Sequence, residues 1–82
     1  MNRLVKTWDN RKERRQKGRY AGWDRRVRWY LNPVTNIVKL VFEDEVGEQR
    51  WHYDDRDEAQ NDWEAFKTGT LTVTHIMGRA PQ

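Results

Sequence analysis

The sequence predicts an α+β domain built on a four-stranded, mostly antiparallel sheet in the order β-β-β-α-β. One helix packs on one face of this sheet, and a basic arm precedes it. Three observations predict this arrangement. Three successive segments alternate apolar and polar residues, one later segment carries an apolar stripe at helical spacing, and the first 22 residues are rich in Lys and Arg but poor in large apolar side chains.

The three alternating segments have the period of two that is typical of half-buried strands. They cover residues 25–32, 37–43 and 49–53. The first link contains Pro33 and Asn36, which favour a turn, and the second contains Gly47 within an acidic stretch. Short links of this kind predict that consecutive strands run antiparallel.

A helix is predicted after the third strand. Asp55 has the position of an N-cap, and Glu58 follows at the spacing of a capping box. Gly69 is suited to end the helix in the left-handed conformation. The buried stripe of this helix is predicted to consist of Ala59, Trp63 and Phe66.

The rest of the domain follows from these elements. Residues 70–77 alternate Thr with apolar residues, which predicts a fourth strand. The chain is therefore divided into a basic arm (1–22, disordered or helical), one domain (23–77) and a loose tail (78–82). The predicted core comprises Val27, Trp29, Leu31, Val38, Leu40, Phe42, Trp51, Tyr53, Ala59, Trp63, Phe66, Leu71 and Val73.

Charge is distributed unevenly along the 82 residues, whose formal net charge is +3. Residues 1–30 contain eleven Lys or Arg and three Asp or Glu, a net charge of +8. Residues 31–82 contain five basic and ten acidic residues, a net charge of −5. Such asymmetry indicates a polyanionic partner for the basic part, although the two parts could also neutralise each other within the fold.

The composition argues against most chemistries. The sequence has no Cys and no Ser, its two His residues are far apart, and its glycines form no phosphate-binding loop. We therefore expect no enzymatic activity, no cofactor and no metal. No apolar run approaches the roughly 20 residues that span a bilayer. We expect no membrane partner, a cytoplasmic location in a bacterial or phage-infected cell, and a monomer or weak dimer.

Strand alternation places basic side chains on the sheet face that the helix leaves open. With the arm, they form a predicted nucleic-acid-binding surface, with DNA favoured over RNA. A solvated sheet face, or one packed against the arm, accounts for the same pattern. The predicted contact residues are Arg11, Lys12, Arg14, Arg15, Lys17, Arg19, Arg26, Arg28, Tyr30, Lys39 and Arg50.

Residues 23–66 resemble a family pattern of three strands followed by one helix. The sequence Trp-His-Tyr-Asp-Asp at 51–55, leading into Asp-Glu-Ala at 57–59, is similar to the plant AP2 domain and to the arm-binding domain of phage integrases. The resemblance implies that the sheet reads DNA through Arg26, Arg28, Lys39 and Arg50. The acidic turns and helix of this chain depart from that pattern, because they would repel phosphate.

Residues 57–76 are similar in outline to small phage proteins that inhibit host machinery, such as RNA polymerase inhibitors and anti-CRISPR proteins. This resemblance implies a host protein as the partner, namely RNA polymerase or a CRISPR effector, bound through an acidic surface. Acids in turns and helices are also common where they are merely solvated. The residues of the acidic surface would be Glu43, Asp44, Glu45, Glu48, Asp54, Asp55, Asp57 and Glu58.

Overall fold

A computed structural model describes residues 2–11 and 24–81 and has a four-stranded antiparallel sheet with two helices. The α+β class is therefore confirmed. The sheet order is β1-β2-β3-β4, the same as the order in the chain. The elements are β1 (Arg3–Asp9), β2 (Arg26–Leu31), β3 (Val38–Glu43), β4 (Glu48–Tyr53), α1 (Arg56–Thr68) and α2 (Val73–Met77).

Strands β2, β3 and β4 are the three predicted strands, each within one residue of its expected ends. Their register aligns large apolar residues across the sheet, with Trp29 opposite Leu40 and Leu40 opposite Trp51. Because side chains alternate between the two faces, this register places all three on the same face. That face packs against the helices and forms the core.

Strand β1 corrects the expectation that residues 1–22 form an arm outside the sheet. Arg3–Asp9 pairs antiparallel with β2, and the half-buried Trp8 lies opposite Val27. The register shifts between Leu4 and Lys6, so one extra residue interrupts the alternation that would have indicated a strand. The expectation for residues 12–22 lies outside the described part of the chain.

The buried Asn10 follows the last residue of β1 and links it by hydrogen bonds to the residues that precede β2. The Asn10 backbone N–H donates to the Arg25 carbonyl at 3.2 Å, and its Oδ1 accepts from the backbone N–H groups of Asp24 at 3.0 Å and Arg25 at 3.3 Å. Its Nδ2 donates to the Asp24 carboxylate. One side chain therefore holds together the two points between which the chain segment 12–23 runs.

Helix α1 forms where the sequence predicts it. The Asp55 side chain accepts from the Asp57 backbone N–H, and Gly69 ends the helix with a φ of 87°. The buried stripe packs on the sheet through two aromatic contacts. The rings of Trp63 and Trp29 meet edge to face with centroids 5.9 Å apart, and those of Phe66 and Phe42 are 5.2 Å apart.

The predicted fourth strand at 70–77 is wrong, because Val73–Met77 is helix α2. Thr72 caps it by accepting from the His75 backbone N–H at 3.3 Å, and His75 Nδ1 accepts from the Thr72 N–H at 3.1 Å. Asp44 Oδ2 also accepts from the Val73 N–H at 3.0 Å. These caps, with burial of Val73 and Ile76, outweigh the strand preference of the alternating Thr residues.

Every residue of the predicted core lies in or against one apolar cluster. Leu31, Trp51 and Leu71 are only partly buried at its border, whereas Ile76 of α2 is fully part of it. The tail after α2 is held in place at Arg79, whose guanidinium donates to the Asp62 carboxylate at 2.9 Å.

We predict that Asn10→Ala lowers the free energy of unfolding by about 0.5–1.5 kcal/mol, because it removes the side-chain acceptor of two part-buried backbone N–H groups. Urea denaturation followed by Trp fluorescence measures this loss. The exposed helical Asn61 provides the matched control, since Asn61→Ala should change stability little. Equal losses in the two variants would show that Asn10 does not hold the strand pair together.

Candidate nucleic-acid interface

The sheet face opposite the helices is called here the open face. The three-strand register and the pairing of β1 fix its side chains in three rows across the sheet. The first row is Asp9, Arg26, Glu43 and Glu48; the second is Thr7, Arg28, Val41 and Arg50; the third is Leu4, Tyr30, Lys39 and His52.

The rows separate charge along the strands. The first row, beside Asn10, contains three carboxylates and one guanidinium, whereas the second and third rows contain only basic, aromatic, apolar or hydroxyl side chains. Successive rows lie about 7 Å apart, because residues two apart on a strand are separated by two rises of roughly 3.4 Å. One end of the open face is therefore acidic, and the rest is basic.

Two of the predicted contact residues are paired with carboxylates on the same face. The Arg26 guanidinium lies 2.9 Å from Glu43 Oε1, and that of Arg28 lies 3.0 Å from Glu48 Oε1. Arg28 also donates to the Tyr30 hydroxyl at 3.2 Å. Such partly exposed pairs contribute little to stability, but a phosphate must compete with them for the guanidinium.

Lys39, Arg50 and Tyr30 form the part of the open face that we call the basic platform. Lys39 Nζ lies 4.8 Å from the centroid of the Tyr30 ring, and Arg50 is exposed. Within the described residues, neither cation forms an ion pair with a carboxylate. Val41, opposite Arg50 in the register, is buried between the strands' basic side chains and supplies an apolar floor.

Of the arm residues predicted to contact nucleic acid, Arg11 lies within the described part of the chain. This exposed residue pairs with Asp9 at 3.0 Å. Burial raises the pKa of Asp9, but the hydrogen bonds and charge of Arg11, together with the charge of Arg26, outweigh it and hold that pKa below its ordinary value. The other predicted arm contacts, Lys12, Arg14, Arg15, Lys17 and Arg19, lie outside the described residues.

The acidic residues of the alternative prediction do not form one uniform surface. Glu43 and Glu48 are paired with the arginines of the open face. Asp44 accepts from the backbone N–H groups of Val46 and Val73, and Asp55 caps α1. The remaining four are exposed: Glu45, Asp54, Asp57 and Glu58.

The largest shift in pKa lies away from the open face, at Tyr53. Burial raises the pKa of Tyr53 far above its ordinary value, and the hydrogen bond from its hydroxyl to Asp62 Oδ2 (2.6 Å) and the charge of that carboxylate raise it further. Arg79 donates to the same oxygen. This network joins β4, α1 and the chain after α2. These structural contacts are sufficient to explain the raised pKa of Tyr53, and no catalytic role needs to be invoked.

Sequence reasoning missed the residues that β1 adds to the open face, Leu4, Thr7 and Asp9, because it placed this segment in an arm. Within the described part of the chain, no group of three or more His, Cys, Asp or Glu residues could hold a metal ion. No helix in the described ranges has the length and apolar character needed to cross a bilayer.

No protein-family model, curated protein or solved structure matches this chain. The similarities to AP2 and integrase arm-binding domains and to phage inhibitors therefore stay predictions.

We predict that Tyr53 stays protonated for as long as the protein is folded. Because its pKa is raised in the folded state, its stabilising contribution is complete below about pH 10 and is lost as the pH rises further. Phenolate absorbance and circular dichroism, recorded together during an alkaline titration of wild type and Tyr53→Phe, test this. The absorbance missing from Tyr53→Phe should develop only as the wild type unfolds. Phenolate formation at Tyr53 in the folded protein would contradict the prediction.

Proposed function

We propose that this protein is a non-enzymatic nucleic-acid-binding module that uses the basic platform of the open face. The observation that carries the proposal is the position of Lys39 beside Tyr30, with Arg50 in the adjacent row of the same face. Both cations lie on an accessible sheet face and are not paired with a carboxylate within the described residues.

The three side chains of the platform have complementary chemistry for a flexible polyanion. An ammonium and a guanidinium can each contact a backbone phosphate, and a Tyr ring can stack on an unpaired base whatever its identity. The net charge of +8 in residues 1–30 would attract the same ligand over a longer range. This combination favours a single strand, and we propose DNA as the preferred nucleic acid.

Arg26 and Arg28 have a smaller part in this proposal than the sequence suggested. Their guanidinium groups already contact Glu43 and Glu48, so binding a phosphate there requires exchange of one anionic partner for another. Among the described residues no carboxylate pairs with Lys39 or Arg50, so binding a phosphate there displaces none of them.

The alternative is a phage-type inhibitor that occludes a basic groove on a host RNA polymerase or CRISPR effector. Its support is the exposure of Glu45, Asp54, Asp57 and Glu58. The internal hydrogen bonds of Asp44 and Asp55 reduce the acidic surface available for such a partner. We therefore rank this function second.

Lys39→Gln/Arg50→Gln should weaken binding to a single-stranded DNA oligonucleotide about tenfold at ~50 mM salt, because two phosphate contacts are removed. Fluorescence anisotropy with single-stranded DNA, single-stranded RNA and duplex DNA between ~50 and ~200 mM salt measures the change. Its salt dependence should also become less steep. The control is Arg56→Gln/Lys67→Gln, which removes the same charge from α1 and should have little effect.

Two outcomes would argue against this site. The wild type could fail to bind any of the three probes at ~50 mM salt, which would exclude nucleic acid as the ligand. Alternatively, the two double variants could lose affinity equally, which would mean that net charge alone determines binding.

Glu48→Gln should raise the affinity for the same oligonucleotide several-fold, because it releases Arg28 from its carboxylate partner. Glu45→Gln makes the same change of charge at an exposed turn residue and serves as the control. A selective gain in Glu48→Gln is expected in the anisotropy titration. Equal gains in both variants would contradict the idea that the Arg28–Glu48 pair competes with phosphate.

A further inference from the structure

A groove lies between strand β1 and helix α1, on the helix side of the sheet and therefore away from the open face. Its volume is about 390 Å³. One wall is β1, at Val5 and Lys6; the other is the first turns of α1, at Arg56, Asp57 and Gln60. Trp29 and Leu31 of β2 also line it and provide apolar surface.

The strand that borders this groove is an edge of the sheet. Within the described residues β1 pairs with β2 alone, so the backbone groups along its other side have no strand partner among those residues. Leu4 and Val5 on this strand are 52% and 51% exposed. An edge of this kind is a template for a further strand, and the groove next to it can receive that strand's side chains.

Two cations, Lys6 and Arg56, and one carboxylate, Asp57, line the groove, so its net charge is positive. Lys6 Nζ lies over the rings of Trp29 at 4.4 Å and Trp63 at 4.6 Å, and it donates to Gln60 Oε1 at 3.2 Å. The Arg56 guanidinium donates to Asn36 Oδ1 at 2.9 Å. Neither cation has a carboxylate partner among the described residues.

We propose that an extended peptide from another protein adds to the free edge of β1 as a fifth strand. Main-chain hydrogen bonds to β1 supply affinity, and side chains entering the groove supply specificity. One apolar side chain lies against Trp29 and Leu31, and one carboxylate meets Lys6 and Arg56. Because side chains two apart point to the same face of a strand, the peptide carries its acidic and apolar residues with one residue between them.

Charge distinguishes this occupant from a second copy of the same chain. A second β1 would bring Arg3 and Lys6 to an edge that already carries both. Antiparallel pairing centred on Lys6 would place two ammonium groups opposite each other, which is destabilising. An acidic peptide has the opposite sign and avoids this repulsion.

The first experiment selects random heptapeptides, displayed on a carrier, against the full chain. An acidic residue and an apolar residue two positions apart should be enriched. One enriched peptide is then synthesised, and its binding is measured by anisotropy. Failure to enrich this pattern overturns the proposal.

Variants and a modified peptide test the geometry. Lys6→Gln/Arg56→Gln should weaken binding about tenfold, and the loss should disappear when the peptide's acidic residue is replaced by its amide. Lys39→Gln/Arg50→Gln, on the opposite face, should leave peptide binding unchanged. Two further peptides carry N-methyl groups on either the odd-numbered or the even-numbered amides. Only one of these two peptides should lose binding, because alternate amides of an added strand face β1. Equal losses for the two methylated peptides, or equal losses in the two double variants, would overturn the proposal.

Solution mass of the free protein provides the last test. A monomer is expected to bind one peptide. A dimer that the peptide cannot dissociate would mean that a second copy occupies the edge, and would overturn the proposal. All these outcomes are independent of nucleic-acid binding, because the groove and the basic platform lie on opposite faces of the sheet.

Discussion

Burial of Trp29 against Trp63 is the contact on which the arrangement of the two surfaces depends. This edge-to-face pair joins β2 to α1, and such pairs add about 0.5–1.5 kcal/mol beyond the area they bury. A slip of one residue in β2 would turn Trp29 out of the core and Arg28 into it, so the burial fixes the register. The same register determines which charged side chains share the open face, and Lys6 above both rings ties β1 to this contact.

Once the register is fixed, the charge pattern of the open face follows. Arg28 lies diagonally across β3 from Glu48, and Arg26 lies opposite Glu43. Basic residues that look equivalent in the sequence therefore differ in their surroundings. Among the described residues no carboxylate pairs with Lys39 or Arg50, although Arg50 shares a row with Arg28. The proposed contact site is therefore smaller than the set of basic residues that alternation selects.

Local patterns in the sequence were sufficient for β2, β3, β4 and α1, because each buries one face and so shows its period clearly. They failed where tertiary contacts decide. Strand β1 is almost wholly exposed and has a register shift near Val5, so it has no clean period. Residues 73–77 have strand-like composition, but the caps from Thr72 and Asp44 favour a helix. The face of each basic residue in β2, β3 and β4 was predictable, whereas its carboxylate partner was not, since partners come from other strands.

The placement of β1 also changes the structural setting of the basic residues in the N-terminal third of the chain. Arg3 and Lys6 belong to a sheet edge, and Arg11 pairs with Asp9. The strongly basic stretch that follows is joined to the sheet at both ends, because Asn10 links its two anchor points. A chain joined at two neighbouring points loses less conformational freedom on binding a ligand than a free terminal arm does. The two anchors of this stretch, Asn10 and Arg25, lie beside the acidic row of the open face, and Lys39 lies two rows away from that row.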